Sequence, residues 1–592
     1  MRRAVLAVCM AVACAAAPAQ PPPRSTIRVG VWTLWRDKEV NLTPVSGATL
    51  RGCESCLART LTSITLRVNK EKLFWTDPQG KTLSSAEMVI TGSYKITAHG
   101  ESLSLNYPLR VTAQSGALVF AATLPVERYV ELVVAAESGA ADGPESRKAL
   151  AVAARSFALA PAHGHTVFDV CDSTHCQWVH WRTTHEAHAA SLATAGESLW
   201  RNGSRFEVYF HQNCGGRTAA ASEVWPPRTA SDHTAQGSLV SRPDPYCQRV
   251  GSSEWSATLS RAELTQALAA AGLAASGWKT LTIAERGESG RATVLLADAT
   301  KILAEDFRLA VGRALGWNRI RSNWFEVAAE GDGFLFHGRG SGHGVGLCQT
   351  GAAEMGREGR GYREILAQYF PGTTLAEVTT GAVWQTLGGQ GFTLETSEAA
   401  DGEFLPALSR ALAEAESRSG LSPQGAIAVR AYRSTPAFRD ATLAPGWVAA
   451  FTEGDQIELQ PLRILAARKL LASVARHEFL HALVEEQATA QTPLWLREGL
   501  VEAWSSEVQS SDPRKEFRGP SFPFFSAEKV GTKKTLETID EKLAHSASEA
   551  ESEAAHRAAG WYTQQLLDRY GRAQVLEWLR EGLPQSALLT LR

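Results

Sequence analysis

The chain of 592 residues has no excess of basic charge, no apolar run long enough to cross a bilayer and few cysteines for its length. Each shortage removes a class of protein. Sixty Lys and Arg stand against 62 Asp and Glu, a net charge of −2. The basic face with which a dedicated nucleic-acid binder meets phosphates is therefore missing. Nine cysteines are too few to build a disulfide scaffold. The apolar run at residues 4–17 falls short of the ~20 residues that a membrane-spanning helix needs, and nothing later is longer. No internal repeat is present. What remains is 44% apolar, 21% charged and 8% aromatic residues, ordinary globular material that excludes a disordered or fibrous chain. At ~150 residues per domain the length predicts three or four domains.

Met1-Arg2-Arg3, the apolar run and Ala17-Pro18-Ala19 follow one another in the order of a secretory signal peptide. Residues 1–19 are predicted to be that leader and the protein to be exported to the periplasm, envelope or medium. A lipoprotein box at Ala11-Val12-Ala13-Cys14 is the weaker alternative, lacking the usual Leu three before the Cys. Loss of the leader removes Cys9 and Cys14 and leaves seven cysteines in an oxidising compartment. Cys53/Cys56, Cys171/Cys176 and Cys214/Cys247 are candidate pairs, with Cys348 left over.

Residues 27–120 alternate short apolar runs with turn residues, as in Thr26-Ile27-Arg28-Val29-Gly30-Val31, and predict a β-rich part. Periodicity then changes to that of helices over 126–136 and 145–159, separated by a Gly139–Pro144 break. Mixed strands and Gly-rich loops continue to about 380. Gly388-Gly389-Gln390-Gly391 marks a linker at 386–391, and beyond it a strand near Phe392 precedes mostly Ala/Leu/Glu-rich helix. The expected fold class is α+β: a β-rich part (27–120), a mixed core (121–385), and a mainly helical domain with a small sheet (392–592).

Two features of the mixed core carry chemistry. Glu137 ends the apolar stretch Leu132-Val133-Val134-Ala135-Ala136, where partial desolvation would raise its pKa and suit it to general acid work. Gly338-Arg339-Gly340-Ser341-Gly342-His343-Gly344-Val345-Gly346 holds five glycines in nine residues, allowing close approach of the backbone to a ligand, with His343 and Gln349 as polar contacts.

The ordered segments PVERYVELVVAAESGA, ESRKALAVAARSFAL, VFDVCDSTHCQ, CGGRTA, GRGSGHGVGLCQTGA and GYREILAQYFPGTTL closely resemble the SpoIID/LytB family (stage II sporulation protein D, amidase enhancer) over roughly 27–380. That resemblance implies a lytic transglycosylase that cleaves the MurNAc–GlcNAc bonds of peptidoglycan, or a non-catalytic wall-binding module that enhances cell-wall amidases. The family's catalytic glutamate falls on Glu137, although Ser138-Gly139 stands where many members have Met-Pro. Arg155, Ser156, His343 and Gln349 would bind glycan or orient the acid. One carboxyl group suffices for this chemistry, unlike the paired acids of glycoside hydrolases. His165, Cys171, His175 and Cys176 present four zinc-type ligands within twelve residues. Some family members carry a structural zinc near here; a Cys171–Cys176 disulfide is the competing reading. Cys214 and Cys247 form a further candidate disulfide.

His477-Glu478-Phe479-Leu480-His481 is an H-E-x-x-H motif within a helical pattern over 462–486. The i, i+4 spacing sets both imidazoles on one face to share Zn²⁺, with Glu478 beside them as general base. Glu498, seventeen residues after His481, supplies a third ligand on the next helix. With the strand GDQIELQP before it, the region 391–592 resembles the gluzincin metallopeptidases of the peptidase-MA-like type. That resemblance implies zinc at His477, His481 and Glu498, a peptide or protein substrate laid along the edge strand Gln456–Leu459, and Tyr562 as a transition-state donor.

Overall fold

The computed structural model describes residues 25–591 except 54–55, 78, 161–164, 227–238, 252, 445–447, 455, 506–531 and 546–547. The expected leader, with Cys9 and Cys14, lies outside the described residues. The fold is mixed α and β, with a large β-rich first part and most helices later.

Alternation of side chains builds the first part. Along Glu39–Arg51 the residues Val40, Leu42, Ala48 and Leu50 point inward, while Glu39 and Asn41 face solvent. Each large apolar side chain so buried contributes about 1.5–3 kcal/mol. Eleven strands join in one sheet. Thr26–Val31 lies antiparallel to Ala117–Pro125 on one side and parallel to the short strand Val170–Cys171 on the other, Val29 opposite Val170. Cys53 and Cys56 are disulfide-bonded.

The strand Ala117–Pro125 passes directly into the helix Val126–Glu137, which buries Tyr129, Val130, Leu132, Val133 and Val134. The helix stops because Ser138 is extended (φ −80°, ψ 138°). Its N–H (3.0 Å) and hydroxyl (2.6 Å) both donate to the Val134 carbonyl, satisfying a helix-end acceptor. The second helix, Pro144–Ala158, starts with Pro at its first position, where a missing N–H costs nothing. Both helices begin and end within one residue of the pattern-based expectation.

Two three-stranded sheets follow, Glu254–Ser260 with Gly333–Arg339 and Phe325–Glu330, and Leu281–Arg286 with Ala292–Ala297 and Thr300–Leu303. With the helices Arg261–Ala270 and Ala304–Leu315 they enclose their own core, which includes Phe307, Phe325 and Phe336.

The last part is a five-stranded sheet in the order Gln385–Gly388, Phe392–Thr396, Ile427–Ala431, Gln456–Leu459, Ala450–Glu453, packed against helices around one core. It corrects three expectations. Residues 386–391 are no linker: they complete a strand and turn back at Gly391 (φ 77°), setting Leu387 opposite Leu394 in a hairpin. The helical pattern over 462–486 splits into Leu462–Ala467 and Leu471–Glu485, because Lys469 adopts a positive φ of 60°. Gln456–Leu459 is interior, parallel to Ile427–Ala431 and antiparallel to Ala450–Glu453, so the outermost strand on that side is Ala450–Glu453. No helix among the described residues is long and apolar enough to cross a membrane.

Buried charge fastens the last sheet to the mixed core. Arg430 is 1% exposed. It pairs with Glu197, donates to Glu395 at 2.9 Å and to the Ala195 carbonyl at 3.0 Å, and lies over the Trp384 ring. Arg363 reaches the same Glu197 at 3.3 Å. At a second joint His188 sits between Glu131 (3.4 Å) and Glu453 (2.9 Å).

Removing one member of a buried pair strands the other charge, so Arg430→Ala is expected to cost about 3–5 kcal/mol. Arg433→Ala, which loses an exposed pair with Glu398, should cost less than about 1 kcal/mol; equal denaturation midpoints for the two variants would contradict this. The two carboxylates raise His188 to about 10 from 6.5. The His188 joint is therefore fully charged below pH 6.5 and is lost as pH rises through about 10. Wild-type stability should decline over that window more steeply than that of His188→Ala.

Candidate functional site

The helix Val126–Glu137 delivers Glu137 to its C-terminal end, where the helix dipole disfavours a negative charge. Burial pushes the carboxyl up to about 7, against a lowering by the Trp178 N–H, which donates to Glu137 Oε1 at 3.0 Å. Gln349 donates from Nε2 to the Glu137 carbonyl at 2.9 Å, so the structure brings these two expected residues together. The neighbouring Asp142 is turned to its own loop, accepting from the Gly139 N–H at 2.6 Å. Near neutral pH Glu137 can both give and accept a proton. Trp178 was not expected: its backbone N–H meets the acid, and its side chain is half-exposed (47% exposed). The sequence signal for it is its position directly after the Cys176-Gln177 end of the His/Cys segment.

That segment organises the Trp178 loop. His165 Nε2 lies 3.2 Å from Cys176 Sγ, and His175 Nδ1 lies 3.7 Å from both Cys171 and Cys176 sulfurs. All four donor atoms fall within 4.8 Å of one another. Cys171 and Cys176 are not disulfide-bonded, which corrects the competing reading. Two sulfurs and two ring nitrogens at these separations suit a tetrahedral ion with Zn–S of about 2.3 Å and Zn–N of about 2.0–2.1 Å.

Arg155 and Ser156 are placed elsewhere than expected. Arg155 is 0% exposed and binds Glu127 (Nε to Oε1, 2.8 Å) and the Glu197 carbonyl (3.1 Å). Ser156 donates to the Val152 carbonyl (2.8 Å) and accepts from the Leu199 N–H (3.0 Å). Both side chains are spent inside the core, out of reach of a glycan.

The glycine loop approaches its own chain. A Cβ on Gly346 would stand 2.1 Å from the Tyr209 carbonyl oxygen, and one on Gly340 2.9 Å from that of Asn213; both glycines have positive φ, 76° and 81°. His343 lies among Trp225 and His211 (ring centroids 5.0 and 5.6 Å). Burial pushes it down to about 3, and its Nδ1 accepts from the Val345 N–H at 3.1 Å, so it is a neutral, internally bonded imidazole. Cys214 and Cys247 are likewise unbonded thiols, correcting the expected disulfide; Asp244 and the leftover Cys348 join them in one cluster.

In the last part the helix Leu471–Glu485 carries His477, Glu478 and His481, and the helix Leu494–Ser505 carries Glu498. His477 and His481 face each other, Nε2 to Nε2 at 3.0 Å; without a cation or a shared proton two such acceptors would repel. Burial and His481 push His477 down to about 3, and its Nδ1 is 3.1 Å from the Ser505 hydroxyl. Glu498 Oε2 is buried, 3.6 Å from His481 Nε2 and 3.4 Å from His556 Nε2. Burial alone would raise Glu498, but the surrounding His481, His556 and His477 hold it at about 2. Two imidazoles and a carboxylate are donors of a zinc-binding type; His481 lies within 3.6 Å of both His477 and Glu498, and the same carboxylate is ion-paired with His556. Glu478 is buried and raised by desolvation, and its Oε2 accepts from the Thr452 hydroxyl on the outermost strand at 2.5 Å.

His556 is a residue that sequence reasoning missed. It belongs to the distant helix Glu549–Glu581, and no spacing rule connects it with the motif. Burial would lower it, but Glu498 raises it to about 9. Tyr562, expected as a donor, is packed in the apolar core (7% exposed). The approach of His556 depends on Gly499: a Cβ there would stand 2.0 Å from Thr563 Oγ1 and 2.5 Å from the Ala559 carbonyl oxygen.

Two segments of the chain match known family models. Residues 114–200 match the model described as stage II sporulation protein (SpoIID), and 246–346 match a domain of unknown function, DUF8618. An uncharacterized protein of Brachyspira hyodysenteriae is 29% identical over 266 residues, covering 43% of this chain and 67% of the relative. Stage II sporulation protein D of Bacillus subtilis is 27% identical over 273 residues, 43% and 75% of the two chains. An amidase enhancer of the same organism is 25% identical over 279 residues, 39% and 38%. The first half of the chain is thus similar to stage II sporulation protein D and to an amidase enhancer.

Gly499→Ala is expected to force its helix from Glu549–Glu581, costing about 1–3 kcal/mol. In metal-free protein it should move the His556 titration from about 9 toward 6.5. Unchanged melting and an unchanged His556 midpoint by NMR would refute the close packing.

Proposed function

We propose that this chain is an exported cell-wall enzyme whose mixed core cleaves peptidoglycan glycan strands as a lytic transglycosylase. What supports the reading is the Glu137 carboxyl at the end of its helix, held at 3.0 Å by the Trp178 N–H and pushed up to about 7 by burial. A group with that pKa is populated in both forms near neutrality, as an acid that turns base requires. Glu137 protonates the glycosidic oxygen between N-acetylmuramic acid and N-acetylglucosamine as the bond to the anomeric carbon breaks. Its carboxylate then takes the proton of the muramic 6-hydroxyl, whose oxygen closes on the anomeric carbon to give a 1,6-anhydro end. The Trp178 N–H steadies the carboxylate formed between the two steps, Gln349 fixes the helix end, and the Trp178 ring offers an apolar face to a sugar. His165, Cys171, His175 and Cys176 would hold a structural Zn²⁺ that shapes the Trp178 loop.

The last part is read as a zinc peptidase of gluzincin type. His477, His481 and Glu498 would hold the ion, which when bound supplies a Lewis acid for a peptide carbonyl and acidifies water. Glu478 accepts a proton and passes it on, its carboxylate aimed by Thr452. A peptide would pair with the outermost strand Ala450–Glu453, and protonated His556 stands beside Glu498 as a donor. The similarity to an amidase enhancer favours a second reading, in which the core binds wall without cutting it and delivers the peptidase. The expected leader and the wall-related relatives support export.

Purified sacculi separate the readings. Wild type should release muropeptides with anhydro ends, with a rate that falls as pH rises through about 7 because the acid form is lost. Glu137→Gln should be slower by about 10²–10⁴, while Glu478→Gln leaves glycan cleavage intact. Undiminished release by Glu137→Gln would overturn the transglycosylase, and wall binding without any release by wild type would favour the enhancer.

A further inference from the structure

We propose that Cys214, Cys247, Cys348 and Asp244 form a further metal centre, a closed structural site for one zinc ion, separate from the His165 and His477 constellations. The four donors come from three segments far apart in sequence, yet their ligand atoms all lie within 4.8 Å of one another. Cys214 and Cys348 are 0% exposed, and Cys247 and Asp244 are 1% exposed. All three cysteines are free thiols. Any disulfide among them would leave one sulfur over, whereas four-coordinate zinc uses every donor.

Asp244 separates this cluster from an ordinary packing of small apolar side chains. Its Oδ1 accepts from the Cys247 N–H at 3.0 Å; its Oδ2 accepts from the Tyr369 hydroxyl at 2.9 Å and the Cys214 thiol at 3.3 Å. These partners are all neutral, and a carboxylate taken from water without a cation is costly. Arg291, buried nearby, gives its N–H groups to the Cys214 and Arg217 carbonyls, at 2.7 and 2.9 Å. A zinc ion meets the need that Arg291 does not. Further partners fit a metal–thiolate centre: the Cys214 N–H donates to Cys348 Sγ at 3.2 Å, and Tyr369 orients the carboxylate in the manner of an outer-shell partner. A Cβ on Gly351 would stand 2.1 Å from Tyr369 Oη and 2.6 Å from Asp244 Oδ2, so the helix Gln349–Arg357 passes right over the cluster. Three thiolates select zinc over magnesium or calcium, and four protein donors leave no open position for catalysis. The consequence is positional. Cys348 immediately precedes Gln349, whose side chain holds the Glu137 carbonyl, so the ion would pin the start of that helix under the acid.

Cadmium NMR of full-length wild-type protein exchanged with Cd²⁺ tests this without a variant. A resonance in the range of three-sulfur ligation is expected, apart from that of the two-sulfur, two-nitrogen site at His165. In parallel, zinc content should fall by one equivalent per chain in Cys247→Ser and equally in Cys348→Ser, with no further loss in the double variant. Absence of a three-sulfur resonance from the folded wild type, or a Cys214–Cys247 disulfide in its peptide map, would overturn the site.

Discussion

One half-buried carboxyl group at a helix end is the constraint on which the mixed core is arranged. Glu137 lies at the negative end of its helix, where burial and the helix dipole act in the same direction and the Trp178 N–H opposes them. Keeping that balance requires the helix to stop in a fixed place. The strand Ala117–Pro125 sets where it begins, and Ser138 sets where it ends by returning two hydrogen bonds to Val134. On the far side, Gln349 holds the Glu137 carbonyl and the His165–Cys176 segment carries Trp178 into place. The sheet, the segment after the His/Cys cluster and Gln349 thus meet at the end of one helix.

Much of this was legible in the sequence, because it rests on local pattern. The apolar period of 126–136 foretold the helix within a residue, and with it the helix end at which Glu137 stands. The H-E-x-x-H spacing placed His477 and His481 on one face, and the structure sets them 3.0 Å apart. What escaped depends on tertiary contact. Trp178 acts through its backbone N–H, which carries no residue-type signal. His556 reaches Glu498 from a helix more than fifty residues away, across a close contact that Gly499 permits. Arg155 and Ser156 resemble ligand contacts in a motif, yet their partners Glu127, Val152 and Leu199 turn them inward. The glycine loop owes its composition to the Tyr209 and Asn213 carbonyls pressed against it. Cysteine pairing was misread because sequence distance does not reveal that Cys348 lies beside Cys214 and Cys247.

Charge also joins the two parts that hold the candidate sites. Arg430, on an interior strand of the last sheet, meets Glu197 of the core in a fully buried pair, with the partly exposed Glu395 and Arg363 beside it. Such pairs add little net stability over apolar packing but are costly to break, so they specify how the parts meet. His188 bridges to Glu453, on the outermost strand of that sheet, and Thr452 beside it bonds Glu478. Adjacent residues of that strand are therefore tied to the core, through Glu453, and to the H-E-x-x-H helix, through Thr452.

The protonation of Glu137 is the point at which the whole reading is most exposed. Carboxyl-carbon NMR of the full chain, taken as the difference between wild type and Glu137→Gln, follows that group through a pH titration. A midpoint near 7 is predicted. A midpoint at the ordinary glutamate value of 4.5 would mean that the carboxyl is solvated and ionised at neutral pH, and would contradict its role as the acid.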